Sequence, residues 1–92
     1  SAANAHVTVQ YFASARTTID KSTERIELPS TPFPLSGLIQ LLSDKYTEHN
    51  LASVLATCRW SVDNTLIEQE DVGEWGLSGG EEVAVIPPVS GG

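Results

Sequence analysis

The group with the most distinctive chemical promise in this sequence is the α-carboxylate of Gly92, at the end of the run Val83-Ala84-Val85-Ile86-Pro87-Pro88-Val89-Ser90-Gly91-Gly92. A carboxylate is a poor electrophile until it is joined to a good leaving group. Adenylation by ATP supplies one, after which sulfur or an amine can attack the acyl carbon. A terminal thiocarboxylate made this way is a reactive sulfur donor held on a tether at high effective concentration. The residues before Gly92 suit such a role. Gly91 and Gly92 have no Cβ, so their backbone can pass through a channel too narrow for side chains. Pro87 and Pro88 fix φ and bias the chain toward an extended path. The stretch 87–92 reaches roughly 20 Å when extended. The expectation is a flexible, extended arm in which Gly92 is the reacting residue and Pro87, Pro88, Val89, Ser90 and Gly91 form the tail that enters a partner's active site. The alternative is an ordinary frayed terminus.

Other candidates for chemistry are few. His6 and His49 are the only histidines and Cys58 the only cysteine, with no metal-ligand spacing among them, so no metal site is expected. No serine sits in a glycine elbow, and Gly79-Gly80 lacks the Lys-Ser/Thr that completes a phosphate-binding loop. Neighbouring acids such as Glu81-Glu82 point to opposite faces of a strand, which reads as solvated charge rather than a general-acid pair. Cys58, Trp60 and Trp75 read as core.

Charge narrows the partners. Residues 1–59 hold five acids and five bases, whereas residues 60–92 hold Asp63, Glu68, Glu70, Asp71, Glu74, Glu81 and Glu82 with no lysine or arginine. The whole net charge of −7 therefore lies in the third of the chain that leads to Gly92. This disfavours nucleic acid and anionic membranes, whose phosphates need basic contacts, and favours a partner with a basic docking surface. Solubility alone is the competing explanation for any one of these acids. The lack of a disulfide pair and of a long apolar run fits a reducing, cytosolic location with no membrane partner.

The elements that must position the arm follow from periodicity. Val7, Val9 and Tyr11 alternate with polar residues as a first strand, and Ile26 and Leu28 share a face in a second over Thr23–Leu28. Ala13–Ser22 is small and polar and is expected to be a connection. Leu35, Leu38, Ile39, Leu42 and Tyr46 fall on one helical stripe, weakened in its first turn by Gly37. Cys58, Trp60 and Val62 form a third strand, and Asp63-Asn64 a turn into a short fourth at Leu66-Ile67. Glu68–Leu77 is expected to be irregular or a single helical turn, anchored by Trp75. Val83–Ile86 is apolar at every position, which places it centrally in the sheet. The expected architecture is α+β: one domain over 1–92, in which a mixed sheet of four to five strands in the order β-β-α-β-β packs on one helix.

Two stretches resemble a known family. Val9-Gln10-Tyr11-Phe12-Ala13-Ser14-Ala15-Arg16 is similar to the Phe-Ala-x-x-Arg motif of the molybdopterin synthase small subunit, a ubiquitin-like β-grasp sulfur carrier. Gly80-Glu81-Glu82 through Pro87-Pro88-Val89-Ser90-Gly91-Gly92 resembles its terminal signature. The resemblance implies that Phe12, Ala13 and Arg16 are motif residues. It also implies that Gly92 is adenylated by a ubiquitin-activating-type adenylyltransferase and sulfurtransferase that consumes ATP, and then thiocarboxylated. The tail would enter the large catalytic subunit, in a heterotetramer of two large and two small subunits, and donate sulfur to cyclic pyranopterin monophosphate (precursor Z). On this reading the chain binds no cofactor, and the catalytic residues lie on the large subunit. Three alternatives stay open: a sulfur carrier for thiazole synthesis or transfer-RNA thiolation, a ubiquitin-like modifier that joins Gly92 to lysines, and a non-reactive interaction domain.

Overall fold

A computed structural model of the protein describes residues 5–88. The chain opens with strand β1 (His6–Tyr11), in which Val7, Val9 and Tyr11 are buried. It pairs antiparallel with β2 (Thr23–Glu27), setting Val7 opposite Ile26 and Val9 opposite Glu24. Its other edge pairs in parallel with the last strand, β7 (Glu82–Ile86), setting Val9 opposite Val83 and Tyr11 opposite Val85. On its far side β7 runs antiparallel to β4 (Arg59–Val62), and β4 to β5 (Thr65–Ile67). The order is therefore β2-β1-β7-β4-β5, and the apolar 83–86 run is the central strand, as its composition requires.

The inner face of this mixed sheet carries Val7, Val9, Tyr11, Ile26, Trp60, Val62, Ile67, Val83 and Val85, which share one core with Leu35, Leu38 and Leu42 of helix α2 (Leu35–Lys45). The expected stripe is thus the buried face of α2, with Tyr46 capping it at 8% exposure and Ile39 at its margin. Burying such side chains contributes about 1.5–3 kcal/mol each before entropy is counted. The turn at Asp63-Asn64 has φ of 49° and 69°, the left-handed pair that a two-residue hairpin demands and that Asp and Asn tolerate.

The helical layer is larger than the single helix expected. Residues 13–22 are not merely a connection: α1 (Ala13–Ile19) buries Ala15 and Ile19, an i, i+4 pair hidden among polar residues. Those polar residues are satisfied locally, with the Thr17 and Thr18 hydroxyls donating to the Ala13 and Ser14 carbonyls. A third helix, α3 (Leu51–Leu55), buries Leu51 and Leu55 at the same spacing and touches both α1 and α2. The proline-rich loop also forms structure. β3 (Phe33–Pro34) pairs with β6 (Gly76–Leu77) in a second, two-stranded sheet. The Leu35 N–H, at the start of α2, donates to the Trp75 carbonyl at 2.8 Å. Trp75 is not the core anchor expected of it, since its side chain is 36% exposed. Val72 and Leu77 are buried in its stead.

Glu24 joins the edge strand β2 to β1 and to the end of α2. Its side chain, 8% exposed, accepts hydrogen bonds from the hydroxyls of Tyr11 at 3.0 Å and Tyr46 at 2.6 Å, and pairs with the ammonium groups of Lys45 and, at 3.4 Å, Lys21. Burial works against its ionisation, but the hydrogen bonds from Lys45, Tyr46 and Tyr11 and the Lys45 charge together outweigh it, leaving the carboxyl below its ordinary value. Burial, and then the nearby Glu24, push both tyrosines up, so they remain donors.

Two expected outcomes follow from these contacts. A Cβ at Gly37 would lie 2.7 Å from the Phe33 ring, so the glycine makes room for that ring over the first turn of α2. Gly37→Ala should therefore stabilise a Phe33→Ala background by about 1 kcal/mol through helix propensity, and fail to stabilise the wild type. Urea unfolding of the four proteins measures this, and equal effects in both backgrounds would rule the contact out. For Glu24, a lowered folded-state value means that its contribution is present above the unfolded-state value near 4.5 and is lost as pH falls through the folded-state value. The stability difference between wild type and Glu24→Gln, followed by denaturant unfolding from pH 7 downward, should be constant to about pH 5 and shrink below it. A difference that grows on acidification contradicts the assignment.

Candidate functional site

The root of the arm is built by β7. Its neighbours β1 and β4 hold both of its edges, and Asp63 clamps its first residue: the Asp63 carboxylate accepts from the Glu82 N–H and the Asp63 N–H donates to the Glu82 carbonyl, both at 2.9 Å. Just before β7, the Glu81 carboxylate accepts from the Ser78 and Gly79 N–H groups at 2.8 and 2.7 Å. Gly79 takes φ of 115°, and a Cβ there would strike Ala5 at 2.8 Å, so glycine is required at that turn. Two of the seven acids of the last third thus have structural work. Glu68, Glu70, Asp71, Glu74 and Glu82 are exposed.

Past Ile86 the two prolines part company: Pro87 is buried against the body, whereas Pro88 is exposed. Pro87, read from sequence as the first residue of the tail, belongs by its burial to the body. The expected site residues Val89, Ser90, Gly91 and Gly92 lie outside the described residues.

The structure brings Phe12 to this root. Tyr11 lies opposite Val85 in parallel register, and Phe12 continues in extended conformation (φ −122°, ψ 153°), which turns its ring to the outer face beside Ile86. Phe12, Ile86 and Leu66 are 46%, 37% and 48% exposed. The register links them across the sheet: Ser61 lies opposite both Ala84 and Leu66, and Arg59 lies opposite Ile86. The result is an apolar strip on the outer face of β1, β7 and β5, interrupted at β4 by Ser61 and Arg59. It spans three interstrand spacings, roughly 14 Å, and ends where the arm departs. Alternation with Val7, Val9 and Tyr11 puts Phe12 on the face opposite the core but gives no reason to group it with Leu66 and Ile86. Only the register does that.

Ala13 adopts φ of 50°, an uncommon value for a residue with a Cβ, and the bend turns the chain from β1 directly into α1. Arg16 follows on the exposed side of that helix, where Ala13, Arg16, Thr17 and Asp20 line a shallow open depression of about 360 Å³. The motif residues therefore flank the arm root in two ways. Phe12 lies on the sheet face, and Arg16 lies on a helix that touches β7.

Away from the root, chemistry is muted. Cys58 precedes β4 rather than lying within it. It is buried, its Sγ donates to the Val54 carbonyl, and burial pushes its thiol up, which suits packing and not nucleophilic attack. Among the described residues no group of histidine, cysteine and carboxylate side chains is arranged to hold a metal ion, and no helix is long and apolar enough to cross a membrane.

Comparison with known proteins places this geometry. The sequence profile of the ThiS family matches residues 9–92, through both the Phe12 motif and the terminal signature. The chain belongs to the ThiS family. It is 64% identical over 86 residues, 94% of this chain and 92% of the relative, to a protein of Mycosarcoma maydis named molybdopterin synthase sulfur carrier subunit. Among solved structures it resembles a chain in the complex of subunits 1 and 2 of the molybdopterin-converting factor from Helicobacter pylori. That match has TM-score 0.66 and 24% identity, covering 95% of this chain and 99% of the other. It also resembles the small archaeal modifier protein 1 from Methanosarcina acetivorans, at TM-score 0.76 and 21% identity over 99% and 100% of the two chains. At those identities the structural matches establish the fold, a ubiquitin-like β-grasp, in which α1, α3 and the β3–β6 ribbon accompany the five-stranded sheet and α2.

Proposed function

We propose that this protein is the sulfur carrier of a molybdopterin synthase, and that Gly92 is the residue that carries the sulfur. The observation that bears most weight is the 64% identity, across nearly the whole chain, to a relative named for that role. In the proposed cycle a ubiquitin-activating-type enzyme joins the Gly92 carboxylate to AMP, releasing pyrophosphate from ATP. A sulfur nucleophile then displaces AMP at the acyl carbon, leaving a thiocarboxylate. The tail delivers that sulfur to precursor Z in the large subunit, where one sulfur from each of two small subunits builds the dithiolene. This chain contributes positioning: a root at the buried Pro87 and a reach of roughly 15 Å from Pro88 onward when extended. ATP is consumed by the activating enzyme and no cofactor is bound here. The partner assembly is proposed as two large and two small subunits, in the cytosol.

The outer-face strip of Phe12, Ile86 and Leu66 is the surface on which the large subunit would seat. The Phe12 and Ile86 side chains at its β1–β7 end give affinity, and the exposed acids of the last third give a field for a basic partner. The pairing of subunits 1 and 2 in the H. pylori complex supports a two-subunit arrangement. The likeness to the archaeal modifier keeps the conjugation reading testable.

Intact mass after incubation with an activating enzyme, ATP and a sulfur donor decides between these readings. The mass change for replacing one oxygen by sulfur at Gly92 is expected, and a variant with one residue added after Gly92 should show none while staying folded. Amide-linked adducts without any sulfur-bearing product would instead establish the modifier. For the docking surface, Leu66→Asp should weaken binding to the large subunit at least tenfold, corresponding to about 1.4 kcal/mol, with the thermal midpoint unchanged. Undiminished binding of that variant, measured by calorimetry, would remove the strip from the interface.

A further inference from the structure

A terminus activated for acyl transfer is open to attack by any free amine, and the carrier's own side chains are present wherever its activated terminus is. The sequence holds two lysines, Lys21 and Lys45. They lie 24 positions apart in sequence, yet the fold brings both to one carboxylate, Glu24. Both ammonium groups also sit over the same aromatic ring, that of Tyr46, at 5.6 and 5.7 Å from its centroid. Convergence of both lysines on one nearly buried acid and one ring is not what solvation alone produces, since isolated lysines on a surface point to water.

We propose that Glu24 and Tyr46 form a guard that holds Lys21 and Lys45 as engaged ammonium groups, so that an activated Gly92 on another copy of this chain is not consumed by them. The inference rests on the sulfur-carrier reading in that it presupposes an acyl-activated Gly92. The reaction suppressed is aminolysis of the glycyl adenylate. A neutral lysine Nζ would attack the Gly92 acyl carbon and form a C–N bond, the C–O bond to AMP would break with AMP leaving on the electron pair, and the surplus proton would go to buffer base. The lysine must first lose its ammonium proton and leave its partners. Around Tyr46 the charged and titratable groups are Glu24, Tyr11, Lys21, Lys45 and His49, the last edge-on at 6.0 Å. For Lys21, the Tyr46 hydroxyl first and the Glu24 charge next raise the amine above its ordinary value, which acts in the same direction. The side chains remain about half exposed (45% and 49%), so the guard works by pairing rather than by covering.

The test is the acylation rate of each amine in the full chain, using N-hydroxysuccinimidyl acetate at mildly alkaline pH and peptide mass spectrometry. A lysine introduced at the exposed Ala56 (Ala56→Lys) serves as the internal reference. Lys21 and Lys45 should react at least about threefold more slowly than the reference, because each ammonium group must first leave Glu24 and the Tyr46 ring. Glu24→Gln should bring both up to the reference rate. Equal rates for all three lysines with Glu24 in place overturn the proposal, whatever the stability of the Glu24 variant. A second arm uses the activating enzyme and ATP without a sulfur donor. Glu24→Gln should accumulate Gly92-to-lysine adducts between copies where the wild type does not, and equal yields overturn the guard. Absence of any adenylate in that arm is failure of the carrier reading, and it leaves the acylation rates to decide the guard alone.

Discussion

The parallel pairing of β1 with β7 is the constraint on which the remainder of the molecule depends. Two strands from opposite ends of a chain can lie side by side in parallel only if everything between them forms one crossover, and here that crossover supplies α1, β2, α2, α3, β4 and β5. Once Val9 is set against Val83 and Tyr11 against Val85, the positions of Phe12 and Ile86 on the opposite face are fixed as well. One register thus fills the core and writes the outer strip. A slip of one residue would exchange the two faces, exposing Val83 and Val85 and burying Glu82. That cost makes the exit point of the arm as well defined as the core itself. A segment that follows a strand takes its origin from that strand, and a central strand is the most constrained origin a sheet offers.

The acids of the last third of the chain differ in what they do. Asp63 and Glu81 lie within the acidic stretch, yet each uses its carboxylate to accept backbone N–H groups at the two ends of turns that flank β7. A carboxylate so placed satisfies donors that a turn cannot pair internally, which links charge to fold rather than to recognition. Among the acids left over, Asp71 accepts the Trp75 N–H at its backbone carbonyl, and the Trp75 carbonyl in turn caps the start of α2 while its side chain is 36% exposed. The acids behind the net charge therefore have different tasks in the fold, and all of them, the exposed Asp63 included, add to the long-range field.

Much of this was legible in the sequence because it rests on strong periodicity. Val7, Val9 and Tyr11, the Leu35-to-Tyr46 stripe and the continuous apolar run at 83–86 each report burial directly, and burial decides strand order near the centre of a small sheet. What escaped was weak periodicity and long-range partnership. Ala15 and Ile19, or Leu51 and Leu55, are single i, i+4 pairs, and one such pair cannot be told from chance in a polar run. Phe33 and Leu77 pair across more than forty positions, in segments whose prolines and glycines argue against strands. Trp75 was misjudged because its size argues for the core, while the local task falls to its backbone. At the site, motif and tail were visible as residue types, but the placement of Phe12, Leu66 and Ile86 on one face exists only through four strands in register.

The edges of the sheet show how a small domain keeps this register to itself. β5 is three residues long, too short to template much pairing, and β2 exposes charged residues along its length. Glu24 adds a second device. It lies opposite Val9 and therefore shares the inner face, an inward-pointing charge on an edge strand. In isolation that position favours an apolar residue, since desolvating a carboxylate opposes the gain from its partners and packed hydrophobic substitutes are often at least as stable. The surroundings change the balance. Tyr11 and Tyr46 carry hydroxyl groups at the rim of the core that would be left without an acceptor, and Lys21 and Lys45 would lose the anion that gathers them. The network is satisfied only when all five groups are present, and its geometry exists only when β2, β1 and the end of α2 are in their native places. Glu24 thus contributes to the choice of one arrangement over its competitors more than to the depth of the native state. The direction in which β7 runs out of the sheet toward Pro87 depends on that choice.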